Sequence, residues 1–340
     1  MPADGYRHVA GATAAPPGGY DADIIILALN RADETLEAIA SALAQNGGRF
    51  HLFILDQGSA AGTLARLASS VEGRADATLV ASGKNLGVSG GRNLASAFGH
   101  GRIIVGLDND AAFANTFTVA QAVAAFDVSA ELGAIGFRIV RHDTGQDDLS
   151  SWGYPAGLIP KAGEAFDSVT FVGAGHAIRR AAWEQAGGYD AALFFCWEEF
   201  DFCLRAIEAG WRIRYRGDIA VRHRVAPEAR MRWSDARWFY FIRNRLYIGH
   251  KTGAGRADLA ARFACYALRC LREGALWQAL RALPAAVRLA GDAPCQPLSP
   301  ATLEYLRRND TLHRWPAWLR TARVKAPPPP PREALPALRR

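Results

Sequence analysis

Short apolar runs alternate with helix-spaced segments along the first two thirds of the chain. Residues 23–29 (DIIILAL) read as a buried strand, and residues 34–44 follow with helical spacing. The same alternation predicts strands over 51–55, 77–80 and 102–107, with a helix over 63–70 between the first two. A Gly-rich loop over 83–93 leads into a short helix over 94–98. Beyond residue 116 come a helix and then a strand over 132–140. Residues 142–167 are irregular, and a loop of that length marks function or disorder. Strands over 169–178, 212–216 and 219–221 and helices over 181–186 and 198–209 complete the core. Polar residues follow each strand, so the pattern predicts an open, mainly parallel α/β sheet whose ligand site lies beyond the carboxyl ends of its strands.

The flanks differ. Residues 1–20 are Gly/Ala/Pro-rich and are expected to be unordered. Residues 234–250 and 256–290 have amphipathic helical spacing, with Pro284 interrupting the second segment, and five prolines at 327–331 end any helix. The expected organisation is an unordered segment over 1–20, a catalytic domain over 21–233, a basic helical region over 234–320 and a Pro-rich tail over 321–340. No internal repeat is present.

With 340 residues, half of them hydrophobic, the chain can bury a sizeable core, which excludes a disordered tail protein. Its longest uncharged run, residues 111–126, is too short and too polar to span a bilayer. The first twenty residues carry no basic-then-apolar leader. Five cysteines without a C-x-x-C pair fit reduced thiols, so a cytoplasmic location is expected. The net charge of +7 is unevenly placed. Residues 1–204 hold 13 Lys and Arg against 23 Asp and Glu, whereas residues 205–340 hold 27 against 10. Such an excess suits a polyanionic partner: nucleic acid, an anionic membrane surface or a phosphorylated ligand. An Arg-rich composition and pairing between the two halves would account for it equally.

Three motifs carry candidate chemistry. Asp108 and Asp110, one residue apart at a strand end, can face a divalent cation and a phosphate together, and hard oxygen ligands suit Mg²⁺ or Mn²⁺. A solvated turn would look the same. The run Lys84 to Asn93 has glycines that permit close backbone approach, and a helix opening near Arg92 or Asn93 would offer free amides to an anion. It is neither a Walker loop nor G-x-G-x-x-G, and a plain strand-to-helix turn is its other reading. Glu198, Glu199 and Asp201 crowd a helix start, where acidic residues favour the dipole. Alternatively, like charges beside Trp197 and Phe200 raise one carboxylate toward the pKa a general base needs. Helical geometry puts Glu198 and Asp201 on one face and Glu199 on another, so their roles should differ.

These pieces occur in a recognisable order. Asn30-Arg31 follows the first strand, Asp56-Gln57-Gly58-Ser59 the second, and then come Asn85 to Asn93 and Asp108-Asn109-Asp110. Phe171-Val172-Gly173-Ala174-Gly175-His176 and Gly187-Gly188-Tyr189-Asp190 precede the acidic cluster. Over residues 23–250 the set closely resembles the family 2 glycosyltransferases of the GT-A fold, especially the bacterial rhamnosyltransferase-like branch.

That resemblance implies inverting, metal-dependent transfer of a sugar from a nucleotide-diphosphate sugar to a hydroxyl of a glycan or lipid-linked glycan, in bacterial surface polysaccharide synthesis. Asn30, Arg31, Asp56, Asn85, Gly87, Arg92, Asn93 and Asp108 would hold the donor, with Asp56 on the base. Asp110, with Asp108 and His223, would bind Mg²⁺ or Mn²⁺. Glu199, a Glu where the family's motif has Asp, matches the catalytic base, with Glu198 the other candidate for that role and Asp201 beside them. Trp152, Gly175, His176 and Trp197 are the candidates to border the acceptor, with core packing the equal alternative for Trp152, His176 and Trp197. Two further departures, Gln57 where Asn is usual and Ala60-Ala61 where a further Asp is expected, bear on nucleotide-base specificity.

Rival readings are a sugar-nucleotide pyrophosphorylase, whose phosphate loop Ala28 to Arg31 does not supply, and a degenerate glycan- or nucleotide-binding module on the same fold. A nucleic-acid partner is not expected. The basic helices are expected to border the acceptor. Their arginines would meet a lipid-linked pyrophosphate or an anionic membrane at the inner face of the plasma membrane; the alternative, which the sequence favours, is that Leu259, Phe263, Tyr266, Leu268 and Leu271 simply pack on the catalytic domain.

Overall fold

The structure is a computed structural model that describes residues 5–224 and 235–309. Its strands are β1 (Tyr6–Gly11), β2 (Ala22–Ala28), β3 (Phe50–Asp56), β4 (Ala77–Ser82), β5 (Ile103–Leu107), β6 (Ala111–Phe113), β7 (Leu132–Arg141), β8 (Ala165–Ser168), β9 (Gly175–Arg179) and β10 (Arg212–His223). They form one sheet in the order β1-β4-β3-β2-β5-β9-β7-β10-β6, with β8 pairing β10. β4, β3, β2 and β5 run parallel, as do β7 and β10, while β9 lies antiparallel between β5 and β7.

The all-apolar strands follow from burial on both faces. On β2, Ile24 and Ile26 join one core with Ala38 and Ile39 of α1 (Ala32–Leu43), Leu67 of α2 (Ala61–Val71) and Val119 of α4 (Thr118–Asp127). The intervening Ile25 joins a second core with Ala95 of α3 (Gly87–Ser96), Trp183 of α5 (Arg180–Ala186) and Phe200 and Phe202 of α6 (Glu198–Glu208). A third core, around Trp238, Ile242, Tyr266 and Ala279, joins α7 (Asp235–Lys251), α8 (Arg256–Arg272) and α9 (Leu276–Gly291). α10 (Pro300–Asn309) returns to the second core through Tyr305 and Leu306. No helix among the described residues is long and apolar enough to cross a membrane.

Several expectations change. Residues 1–20 are not wholly unordered, because β1 pairs antiparallel with β4 and Tyr6 packs edge-on against Phe98. An otherwise open sheet edge supplies the order that local composition does not. Helix α3 starts at Gly87, so most of the expected loop is helix. Residues 169–174 are not strand, and β10 is continuous from 212 to 223. Pro284 lies inside α9, and the helical break falls instead at Gly274, whose φ of +73° ends α8. The expected Pro-rich tail and residues 310–320 lie outside the described residues.

Candidate active site

Parallel pairing brings the ends of β2, β3 and β5 to one rim of the sheet. At the end of β2, Asn30 and Arg31 both have positive φ, an uncommon backbone for side-chain-bearing residues. The Asn30 amide donates to Ser59 Oγ at 2.7 Å, and Asn30 Oδ1 accepts from Ala60 N at 3.1 Å, locking this turn to the one after β3. There Asp56 Oδ2 accepts from the amides of Gly58 and Ser59, each at 3.1 Å. Asp56 Oδ1 is buried without a hydrogen-bond donor, so this carboxylate can still accept a bond from a ligand.

The end of β5 carries the two aspartates. Arg92 is only 3% exposed and donates across β5 to Ile25 O at 3.1 Å and to Asp108 Oδ1 at 3.0 Å. Gly106 makes room for this, since a Cβ there would strike Arg92 and His176. Arg31 Nη1 donates to Asp110 Oδ2 at 2.7 Å. The antiparallel pairing of β10 with β6 sets His223 opposite Ala111, and its Nε2 lies 3.5 Å from Asp110 Oδ1. His223 Nδ1 meets Asp148 Oδ2 at 3.2 Å. Burial opposes charge on this imidazole, but hydrogen bonds to Asp110 and Asp148 outweigh it and push the pKa up to about 9. The aspartates diverge. Burial raises the pKa of Asp108 despite Arg92, whereas burial at Asp110 is outweighed by His223 and Arg31, and its pKa falls.

Among the described residues, no three His, Cys, Asp or Glu side chains form a preorganised metal cluster. Asp110 Oδ1 and His223 Nε2 lie 3.5 Å apart at this rim and would supply two ligands once the imidazole gives up the proton that a pKa of about 9 keeps on it. Magnesium and manganese sites of this kind take their remaining ligands from substrate phosphates and water, so the donor set fits a divalent cation.

The acidic cluster stands beside this rim. Glu198 is buried, and burial together with Glu199 drives its pKa well above the carboxylate range. Glu199 is partly exposed, and burial in its surroundings and the charge of Asp108 raise its pKa to about 7. The crowding expected at this helix start is present, and loss of water is its main agent. A strained loop precedes α6, with positive φ at Phe194, Cys196 and Trp197. Asn244 on α7 holds that loop, its Nδ2 donating to the carbonyls of Leu193, Phe195 and Cys196 at 2.8 to 2.9 Å. Arg243 adds bonds to Ala192 O and Leu193 O, both at 2.8 Å.

Other expected site residues have different surroundings. Asp201 is buried, accepting from Arg205 Nε at 3.0 Å and Lys251 Nζ at 2.8 Å, so it anchors α6 to α7 rather than facing the rim. His176 is 1% exposed, stacked on Phe171, and burial drives its pKa well below the usual value; it lies behind the site wall rather than on an acceptor surface. Gly175 is buried against Val221 and Phe137. Trp152 packs in an aromatic group with Tyr154, Phe166 and Tyr215, and Trp197 Nε1 donates to Phe241 O at 3.0 Å. Asn93 is engaged by both backbone groups of Tyr189. Gly87 N is capped by exposed Asn85, and Val88 N by Phe194 O at 2.7 Å, so the start of α3 does not present the free amides expected for an anion. Gly87 is needed because a Cβ there would overlap Phe194. Sequence reasoning missed Asp148, which lies in the irregular segment and carries no signal linking it to His223.

Comparison with known proteins agrees with this architecture. Residues 23–186 match the model for Glycosyl transferase family 2, and residues 160–290 match that for Glycosyl transferase family group 2. An uncharacterized protein of Haemophilus influenzae is 29% identical over 173 residues, which are 48% of this chain and 90% of that one. The mannosyltransferase PcManGT from Pyrobaculum calidifontis, in complex with GDP-Man and Mn²⁺, superimposes with a TM-score of 0.53 at 20% identity, over 92% of this chain and 86% of that one. Residues 1–349 of S. aureus TarS give 0.55 at 16% identity, over 79% and 81%. The chain belongs to the family 2 glycosyltransferases and has the GT-A fold.

Proposed function

We propose that the chain transfers a hexosyl group, with inversion, from a nucleotide-diphosphate sugar to a hydroxyl of a glycan or lipid-linked glycan. The observation that carries this reading is Glu199: partly open, with a pKa near 7, and close enough to Asp108 to feel its charge. A base poised near neutrality beside the aspartate rim suits single displacement. Glu199 takes the proton of the acceptor hydroxyl, the acceptor oxygen bonds to the anomeric carbon, and the bond from that carbon to the diphosphate breaks. Glu198, deeper and with the higher pKa, would stay protonated and support Glu199 as a neutral neighbour.

Asp56, with its free Oδ1, is the donor-side acceptor for the nucleotide base, and Arg92 fixes the Asp108 carboxylate for the ribose. A divalent cation would be held by Asp110 and His223 and would stabilise charge on the departing diphosphate. The neighbour carrying GDP-Man and Mn²⁺ supports both donor class and metal. A surface-polysaccharide acceptor rests on the resemblance of the motifs alone.

Thermal stabilisation by UDP, dTDP, GDP and CDP, each with and without Mn²⁺, tests this on the wild type and Asp110→Asn. A nucleotide at a hundred times its Kd adds about 2.7 kcal/mol. Manganese-dependent stabilisation by one nucleotide, lost in Asp110→Asn, is expected. No shift with any nucleotide at millimolar concentration would indicate a degenerate site.

A further inference from the structure

The helical region leaves an apolar stripe uncovered. On α9 the buried positions are Gln278, Ala279, Ala282 and Ala286, which face α7 and α8. At about 100° per residue, Trp277, Leu280, Pro284 and Val287 fall together on the opposite face. Trp277 is 66% exposed and Val287 65%, and about half of Leu280 is open. Near the end of α8, Leu268 and Leu271 are also at least half exposed. None of the five apolar residues on α8 is seen on the catalytic domain as expected: Leu259, Phe263 and Tyr266 pack instead in the third core with α7 and α9, and Leu268 and Leu271 are exposed.

The stripe has a charged margin. Arg281 and Arg288 fall along one edge of it on the helical wheel, and Arg272 stands at the α8 end. Across α8 and α9 there are six arginines and two acidic residues. Both acids are already engaged, Asp258 by Arg262 at 2.8 Å and Glu273 by Arg269 at 3.1 Å. Arg256, Arg272, Arg288 and Arg281, whose guanidinium also lies 5.5 Å over the Phe239 ring, therefore keep a net positive charge with no acidic partner among the residues of these two helices. Apolar residues with tryptophan on a helix face and arginine at its edge match the boundary between anionic headgroups and acyl chains. A second copy of the chain fits less well, since its arginines would be set against these. The same holds for residues 310–340, which carry seven Lys and Arg against two acidic residues.

We propose that the α8–α9 hairpin is a docking surface for an anionic membrane, with Trp277, Leu280 and Val287 entering the interface and Arg281 and Arg288 meeting the headgroups. It deepens the reading of a lipid-linked acceptor and rests on that reading for its purpose, although the surface is defined without it.

Co-sedimentation of the full chain with phosphatidylglycerol-containing vesicles and with pure phosphatidylcholine vesicles tests the proposal. Binding to the anionic vesicles at low salt is expected, weakening as salt rises. Leu280→Glu with Val287→Glu should lower partitioning by roughly tenfold or more, and Arg281→Gln with Arg288→Gln by about tenfold. All four positions are exposed, so the circular dichroism and Tm of both variants should match the wild type. No binding to anionic vesicles overturns the proposal, as does binding that the glutamate pair leaves unchanged. A dimer in light scattering that the glutamate pair dissociates assigns the stripe to a second copy and overturns it too. Nucleotide-induced stabilisation measured on the same preparations separates failure of this surface from failure of the donor site.

Discussion

Gly173 leaves the space that Glu199 occupies: a Cβ built on Gly173 would overlap Glu199 Oε1. Gly173 stands in the turn before β9 without a positive φ, so what the glycine supplies there is room. It lets the carboxylate of α6 lie flat against the backbone that enters β9.

Gly173→Ala should therefore act on turnover. The atom that must move is the end of a flexible side chain, so the fold should tolerate the methyl and the Tm should change little. Displacing the base by about 1 Å costs on the order of 10²-fold when reacting groups must be aligned. Steady-state kinetics should show kcat falling by about 10- to 100-fold with KM for the donor nearly constant. A wild-type kcat would show that Glu199 needs no such seat.

The pH dependence follows from the sign of one shift. Burial holds Glu199 protonated until about pH 7, so kcat/KM should rise with pH and level off above a midpoint near 7. Glu199→Gln should lose about 10²- to 10⁴-fold, and Glu198→Gln far less, since deeper burial favours the neutral form of Glu198. Stability carries the same sign. A carboxyl whose pKa is raised on folding stabilises the fold fully below its unfolded value, near 4.5, and loses that contribution as pH rises through 7. Denaturant melts should therefore find Glu199→Gln more stable than wild type at pH 8 and indistinguishable from it at pH 4.

Much of this was legible in the sequence, and the limits have physical causes. The β2, β3 and β5 runs could be read because both faces of the sheet are buried, and polar residues at their ends marked the rim. β1 could not, because six mixed residues gain order only from the free edge of β4. The start of α3 was misplaced because its cap is the Phe194 carbonyl, more than a hundred residues away. The nearness of His223 to Asp110 depends on β10 pairing β6 in one register, which local sequence does not encode. Asp201 looked catalytic because three acids sit in four residues, yet its role depends on Lys251, fifty residues on.

That role gives a stability prediction. Asp201 is 1% exposed and accepts from both Arg205 and Lys251, and Lys251 also donates to Asp190 Oδ2 at 2.7 Å. Removing one partner of a buried charge pair costs about 3–5 kcal/mol. Asp201→Ala should lower the Tm on the order of 10 °C for a chain this size. The protein that remains folded should keep the wild-type pH midpoint, whereas a midpoint that moved would return Asp201 to the proton-transfer step.

Asn244 is the corresponding test for the loop. Three non-glycine residues with positive φ, Phe194, Cys196 and Trp197, stand immediately before Glu198. Such conformations cost on the order of 1–3 kcal/mol each and persist only where neighbours hold them. The Asn244 amide, fully buried, supplies three of the restraining bonds. Asn244→Ala leaves those carbonyls short of a donor and should cost about 1–3 kcal/mol of stability. It should also release the loop, so kcat should fall by more than the lost stability explains at a temperature where the variant is folded. Asn244→Gln, whose longer side chain keeps the amide but misplaces it, should recover stability before activity. Equal recovery of both would mean that the loop sets the fold alone and leaves Glu199 where it is.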